Sequence, residues 1–125
     1  RRFNILHIAH LAKDPEQMFN AALLALIKGS GGLTHWWMEQ EGKKRRFDKH
    51  PDYLRRVKAV IPVFAAPGGC RKWMDGKTVC WEKTVGSDHY FMAINAGDDA
   101  VQLENGEKIN AHSRIVRKNG KDLVL

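Results

Sequence analysis

Apolar side chains recur at helical spacing in the first part of the chain, between residues that favour helix ends. Pro15 suits the first helical position, Asp14 before it is a good N-cap, and Gln17 completes a capping box. Gly29 favours a left-handed stop, so the pattern predicts a helix between Pro15 and Gly29. The apolar positions of its buried face are Phe19, Ala22, Leu23, Leu26 and Ile27.

The rest of the first half predicts further short elements. Residues 4–8 fit either a helical turn or a short strand. After a glycine-rich hinge, Thr34 is placed to cap a short helix through about Glu41. A third helix is predicted from Pro51, with Pro62 closing it. Its apolar stripe is Tyr53, Leu54, Val57, Val60 and Ile61.

Beyond Pro62 the turn residues and the residues between them are typical of β-strands joined by tight turns. Asp75-Gly76, Asn105-Gly106 and Asn119-Gly120 lie between segments suited to strands, and such pairs favour type I′ hairpin turns. Six short strands joined in this way are expected to curl into a small barrel or a bent meander, since a flat sheet leaves long unpaired edges. The predicted strands are 71–74, 77–85, 89–95, 100–104, 108–116 and 123–125.

These elements predict an α+β fold, with a helical subdomain of three to four short helices over residues 1–62 and an antiparallel β subdomain over 63–125. The segments VCWEKT, HYFMAIN and AVQLENGEKINAHSRIV resemble successive strands of a small barrel of the SH3 or Tudor kind. That resemblance implies either exposed aromatic residues that form a cage for a cation, or aromatic residues that fill the barrel interior. The aromatic residues concerned are Trp73, Trp81, Tyr90 and Phe91.

Composition limits the class of protein. With 125 residues, 43% hydrophobic, the chain is long enough for one ordinary core, and its longest apolar run, 21–27, is far too short to cross a bilayer. Two cysteines and the absence of a signal-peptide pattern predict a soluble protein of the cytoplasm or nucleus, with no membrane association. Because the chain begins with Arg1, we expect a processed start or a domain of a longer protein.

Positive charge is concentrated in one segment. Residues 35–58 hold eight of the 21 Lys and Arg residues against four acidic ones, within a formal net charge of +7 for the chain. Clustered cations release condensed counterions from a nucleic-acid backbone. We therefore expect non-catalytic binding of nucleic acid, with DNA as the partner and little base readout. The predicted contacts are Trp36, Trp37, Lys43, Lys44, Arg45, Arg46, Lys49, Arg55, Arg56 and Lys58.

The two tryptophans in this set have a separate rationale. Trp36 and Trp37 point about 100° apart on a helix, so one is expected to pack inward while the other stacks on a base. Packing of both at the junction with the sheet is the alternative.

Two other function classes remain open. One is a protein-interaction module of a larger assembly that grips an acidic protein. The other is a small Cys-dependent enzyme, with Cys70 as nucleophile, His89 or His112 as base, and Asn95 or Asn110 orienting the base.

The two cysteines also raise the questions of a metal and of a disulfide. No cofactor or metal is predicted, because the spacing of Cys70, Cys80, His89 and His112 lacks the paired ligands of a zinc finger. A simple turn at Asp75-Gly76 places Cys80 opposite Arg71 and diagonal to Cys70, a geometry that leaves a disulfide open.

Overall fold

The computed structural model of the chain describes residues 5–7, 15–29, 32–34 and 51–123. Within these residues lie two helices and a mostly antiparallel set of strands, which confirms the α+β class. The predicted helical subdomain of three to four helices over residues 1–62 is not matched, because the described part of it holds two helices and a pair of strands. The chain divides into two compact units, Arg1–Phe64 and Ala65–Leu125. No helix in the described ranges is long and apolar enough to span a membrane.

The first unit contains a parallel pair of strands. β1 (Ile5–His7) pairs with β2 (Gly32–Thr34), and α1 (Pro15–Ile27) lies between them in the chain. Parallel neighbours need a long connection, which a helix provides. The strand alternative for residues 4–8 is therefore confirmed. Thr34 is the last residue of β2, and residues 35–41 of the predicted helix after it lie outside the described residues.

The bounds of α1 match the pattern that predicted it. Pro15 is the first residue of the helix, and Gly29 follows it with a φ of 93°, the left-handed stop. The Gly29 N–H donates to the carbonyl of Leu26 at 3.1 Å, which closes the last turn. Asp14, the predicted cap, lies outside the described residues. The buried apolar side chains of α1 are Met18, Phe19, Ala22, Leu23, Ala25 and Ile27.

The second helix, α2 (Pro51–Ala65), runs through the proline that was predicted to close it. Pro62 lies inside the helix. A proline there removes one N–H donor, but only three residues follow it, so the loss falls on the final turn. Tyr53, Val57 and Val60 are buried as predicted, while Ile61 is 43% exposed. Burial raises the pKa of the Tyr53 hydroxyl.

The second unit is built on an open five-stranded antiparallel sheet. Its spatial order is β3-β4-β5-β8-β9, so β3 and β9 are its two edges and the predicted closed barrel is wrong. A separate short hairpin, β6 with β7, connects β5 to β8. The strands are β3 (Cys70–Asp75), β4 (Thr78–Val85), β5 (Asp88–Asn95), β6 (Val101–Gln102), β7 (Lys108–Ile109), β8 (Ser113–Lys118) and β9 (Lys121–Asp122).

The first hairpin turns one residue later than predicted. Asp75 pairs with Thr78, so the two turn residues are Gly76 and Lys77. Gly76 has a φ of 61°, and a positive angle at the first turn position alone is the pattern of a type II′ turn. Cys80 therefore lies opposite Trp73, and the predicted pairing of Cys80 with Arg71 is wrong.

Of the other two predicted turns, one is confirmed and one differs, and one predicted strand is divided. Asn119 and Gly120, with φ of 53° and 79°, form the predicted type I′ turn between β8 and β9. Asn105 and Gly106 lie instead in a longer loop, since Gln102 pairs with Lys108. The predicted strand over residues 108–116 is split, because His112 adopts a φ of 54° before β8 begins.

The β6–β7 hairpin covers part of one sheet face. Leu103 and Ile109 pack with Cys80 and Ala93, and all four are buried. Trp73, Phe91, Val101 and Ile115 surround this cluster and are partly buried. Side chains alternate between the faces of a strand. Trp81, Met92, Ile94 and Val116 are buried on the opposite face.

Asn95 ties the end of β5 to the connection that follows. Its side chain is fully buried. The Nδ2 group donates to the carbonyls of Asp99 at 2.8 Å and Asn110 at 3.1 Å, while Oδ1 accepts from the N–H of Gly97 at 3.0 Å. One amide thus satisfies backbone groups from both sides of the β6–β7 hairpin.

Candidate nucleic-acid interface

The described part of the basic segment is α2, whose solvent-facing side carries two cations. Arg55 and Lys58 are both exposed and lie three residues apart, on the side of the helix opposite the buried Tyr53 and Val57. Arg55 Nε lies 3.5 Å from Asp52 Oδ1, with both side chains more than half exposed. Such a pair is weak in water, so both cations are accessible to an anion.

Arg56 has a different environment from its two neighbours. It lies about 100° around the helix from Arg55, at the margin of the buried face, and only 21% of its side chain is exposed. Its Nη1 atom donates to both carboxylate oxygens of Glu16, at 2.9 and 2.8 Å, and its guanidinium lies 6.0 Å from the Phe19 ring centroid. Arg56 thus joins α2 to α1 with its charge already paired.

The other predicted contacts fall outside the described residues. They are Trp36, Trp37, Lys43, Lys44, Arg45, Arg46 and Lys49. Of the predicted set, the structure therefore places Arg55 and Lys58 on one exposed helix face and Arg56 beside it in an ion pair.

The aromatic residues of the sheet do not form a cage. Trp73 and Phe91 lie on one face, with ring centroids 6.2 Å apart, whereas the register places Tyr90 and Trp81 on the other. The Arg71 guanidinium lies 4.4 Å from the Trp73 ring centroid, so a cation of the chain itself already uses that indole. Trp81 is 2% exposed.

An ion-pair network at β8 was not anticipated from the residue pattern. Arg117 donates from Nη1 and Nη2 to the two carboxylate oxygens of Glu107, at 2.6 and 2.5 Å, and from Nε to Asp122 at 3.2 Å. The hydrogen bond from Arg117 lowers the pKa of Glu107. A two-residue turn at Asn119-Gly120 places Arg117 opposite Asp122, so the sequence is enough to predict this ion pair. It does not predict the pair with Glu107.

A cleft of about 350 Å³ opens beside this network, between β7, β8 and β9. Lys108 and Arg114 also line it. Because Glu107 and Asp122 neutralise Arg117, the cleft is not a strong anion site.

The residues of the alternative enzyme reading are separated by the sheet. Cys70 and His89 project from opposite faces, since Cys70 pairs with Lys83 and His89 with Thr84. His112 adjoins Ser113, at the far end of β8, and its ring lies 2.8 Å from Asp98. The proposed orienter Asn95 is engaged with backbone groups.

The two cysteines differ in environment. Cys70 is exposed and Cys80 is buried, both are free, and the register sets them on opposite faces of the sheet. Burial, with smaller contributions from Asp75 and Glu104, raises the pKa of the Cys80 thiol to about 11. Across the described ranges, no group of three or more potential ligands is close enough to hold a metal ion.

Comparison with known proteins assigns no family. No protein-family model matches the chain, and neither the curated proteins nor the solved structures give a match. The function of the protein is therefore inferred from the charges and surfaces of its described residues.

Proposed function

We propose that this protein binds nucleic acid, with DNA as the preferred partner, through phosphate contacts made by the basic segment 35–58. The observation that carries the proposal is the excess of cations there, eight against four acidic residues, together with the exposure of Arg55 and Lys58 on one face of α2. Cations on one face of a helix suit contacts to successive phosphates of a backbone.

In this proposal the predicted contacts have two roles. Arg55 and Lys58 are available to phosphate, because Arg55 has only an exposed, weak pair and Lys58 is exposed. Arg56 holds α2 against Glu16 and Phe19, so it supports the surface instead of contacting the ligand. Lys43, Lys44, Arg45, Arg46 and Lys49 supply most of the remaining charge in the proposal.

The energetic basis is counterion release. Each phosphate neutralised makes the logarithm of the binding constant fall by about 0.9 per logarithmic unit of salt. This contribution does not depend on base sequence, so we expect limited discrimination between oligonucleotides. In this proposal Trp36 or Trp37 adds stacking on a base, which contributes about 1–3 kcal/mol where it occurs.

The test compares two double variants that remove the same charge from different places. Arg55→Ala with Lys58→Ala alters the α2 surface, whereas Lys77→Ala with Lys121→Ala removes two exposed cations from hairpin turns of the β unit. Binding to a duplex and to a single-stranded oligonucleotide is measured across a salt series. The α2 variant is expected to lower the salt slope by about 1.8, with little change in the control.

Equal slopes for the two double variants would contradict the proposal, because general net charge would then explain the binding. Arg56 is excluded from the α2 variant, since removing it also breaks its ion pair with Glu16. A third variant, Lys43→Ala with Lys44→Ala, Arg45→Ala and Arg46→Ala, tests the connector. It is expected to reduce the slope by about 3.6 if all four groups contact phosphate.

A further inference from the structure

The first strand of the sheet, β3, has one side without a partner strand. Its six residues pair only with β4, in an unbroken register without a bulge. Across the described ranges no strand pairs with its outer side. The exposed residues of β3 are Cys70, Arg71, Lys72 and Met74. Met74 is 59% exposed and, with Ile61, is one of two exposed large apolar residues in those ranges.

The register identifies which backbone groups face outward. Asp75 and Thr78 close a two-residue turn, so they form a hydrogen-bonded pair, and hydrogen-bonded pairs recur at every second residue. Trp73 and Arg71 therefore direct their N–H and C=O groups to β4. The N–H and C=O groups of Cys70, Lys72 and Met74 point away from β4, and no strand among the described residues pairs with them.

We propose that β3 binds an extended acidic segment of a partner polypeptide by strand addition. Natural sheet edges are blocked by proline, bulges, charge or a covering element, and of these β3 has only the charge of Lys72 and Arg71. Cationic side chains deter a neutral or basic strand, but they attract one that carries carboxylates. Main-chain hydrogen bonds then provide affinity, and alternate side chains provide selectivity.

The chemistry of the edge specifies the partner further. On one face Arg71 is 70% exposed and lies flat against Trp73, at 4.4 Å from the ring centroid, with Glu82 at 3.5 Å. On the other face Lys72 and Met74 are exposed. Asp75, the one acidic residue of the strand, accepts a hydrogen bond from the Glu104 N–H. Because each face carries one cation next to one apolar side chain, a segment with two adjacent carboxylate residues followed by two apolar residues matches this surface.

A second copy of the chain fits the edge less well. An antiparallel pairing centred on Lys72 sets the two ammonium groups directly opposite each other, and like charges in that position are destabilising. An antiparallel pairing centred on Trp73 sets the Trp73 indole, on which Arg71 is stacked, directly opposite the same indole of the second copy. Both arrangements also join two chains that each carry a formal charge of +7. An acidic partner avoids these costs.

The test uses synthetic hexapeptides with blocked ends, one with adjacent pairs of Glu and of Val and one with Lys in place of each Glu, with amide hydrogen exchange as the readout. The Glu-Val peptide is expected to slow exchange at the amides of Cys70, Lys72 and Met74. The amides of Arg71, Trp73 and Asp75 already bond to β4 and should change little. This alternation is the signature of strand addition.

A proline substitution supplies the matched variant. Lys72→Pro removes an outward N–H while leaving the bonds to β4 intact, and edge strands tolerate proline at such positions. Lys72→Pro is expected to lower the affinity for the Glu-Val peptide by about tenfold or more, and Lys72→Ala is expected to lower that affinity less. A Glu-Val peptide N-methylated on its bonding edge tests the same hydrogen bonds without altering the protein.

Three results would overturn the proposal. They are no binding of the Glu-Val peptide up to about 1 mM, equal binding of the Lys-Val peptide, and concentration-dependent dimerisation that Lys72→Pro abolishes. The site is independent of α2, so Arg55→Ala with Lys58→Ala should leave peptide binding unchanged.

Discussion

The buried amide of Asn95 offers the sharpest test of the fold. Replacing Asn95 by Ala removes the hydrogen bond that its Oδ1 atom accepts from the Gly97 N–H. It also removes the contacts that Nδ2 donates to the carbonyls of Asp99, Asn110 and, at 3.4 Å, Ile109. Each net hydrogen bond contributes about 1 kcal/mol, and an unsatisfied buried group costs about 1–3 kcal/mol. We therefore expect Asn95→Ala to reduce the free energy of unfolding by about 3 kcal/mol.

A second substitution at the same position tests the direction of the donated bonds. Asn95→Asp keeps the acceptor for Gly97 but directs a carboxylate at backbone carbonyls, in a site with no solvent exposure. Burial and repulsion raise the pKa of such a carboxyl above its unfolded value. The variant should therefore be least stable near neutral pH, and its deficit relative to the parent protein should shrink as the pH falls through the raised pKa.

The assay is urea unfolding followed by far-UV circular dichroism, with hydrogen exchange at β5 amides to assign the loss to the sheet. Ser113→Ala is a suitable control, because Ser113 lies opposite Asn95 and its hydroxyl makes one longer contact, 3.3 Å, to Ala111. If Asn95→Ala changes stability by less than about 0.5 kcal/mol, the hydrogen-bond reasoning fails. A pH-independent deficit in Asn95→Asp would refute the argument about the carbonyls.

Two further predictions concern the network at β8 and the thiols. The lowered pKa of Glu107 means that its pairing with Arg117 stabilises the fold above the unfolded carboxyl pKa and loses this effect as the pH falls through the folded value. Glu107→Gln should thus cost about 0.5–1 kcal/mol near pH 7 and nothing in acid, measured by urea unfolding across pH; a deficit that persists in acid argues against the pair. Iodoacetamide near pH 8 should modify Cys70 and spare Cys80, because the Cys80 thiol is buried with a pKa of about 11. Mass spectrometry of Cys70→Ser should then show no adduct before unfolding, and rapid labelling of Cys80 would contradict its burial.

Local signals in the sequence were sufficient for several elements. Pro15 and Gly29 mark the two ends of α1, because a proline at the first helical position and a left-handed glycine each determine the backbone conformation within one turn. Asn119 and Gly120 form their type I′ turn for the same reason, since their backbone angles depend on neighbouring residues. The periodicity of residues 71–95 likewise predicted the strands that became β3, β4 and β5.

Contacts distant in sequence decided the rest. Pro62 alone favours a helix end, yet α2 continues to Ala65, since with three residues left the missing N–H affects only the final turn. Asp75-Gly76 favours one hairpin register, but the sheet adopts the register that pairs Cys80 with Trp73 and sets both beside the core of the β6–β7 hairpin. Moving the turn by one residue changes the β3–β4 pairing by two residues, so each side chain keeps its face and only its cross-strand neighbour changes.

The same division applies to the candidate site. Composition alone identified the basic segment, since charge is counted without knowing the fold. Arg56 is paired because Glu16, which lies 40 residues earlier in the chain, meets it when α1 and α2 pack. Arg55 and Lys58 lie on the other side of α2 and stay accessible. The exposed edge of β3 also follows from strand order, and strand order is a property of the assembled sheet. The sequence by itself determined local backbone choices and net charge, whereas the tertiary structure decided pairing and exposure, because those depend on groups brought together only by folding.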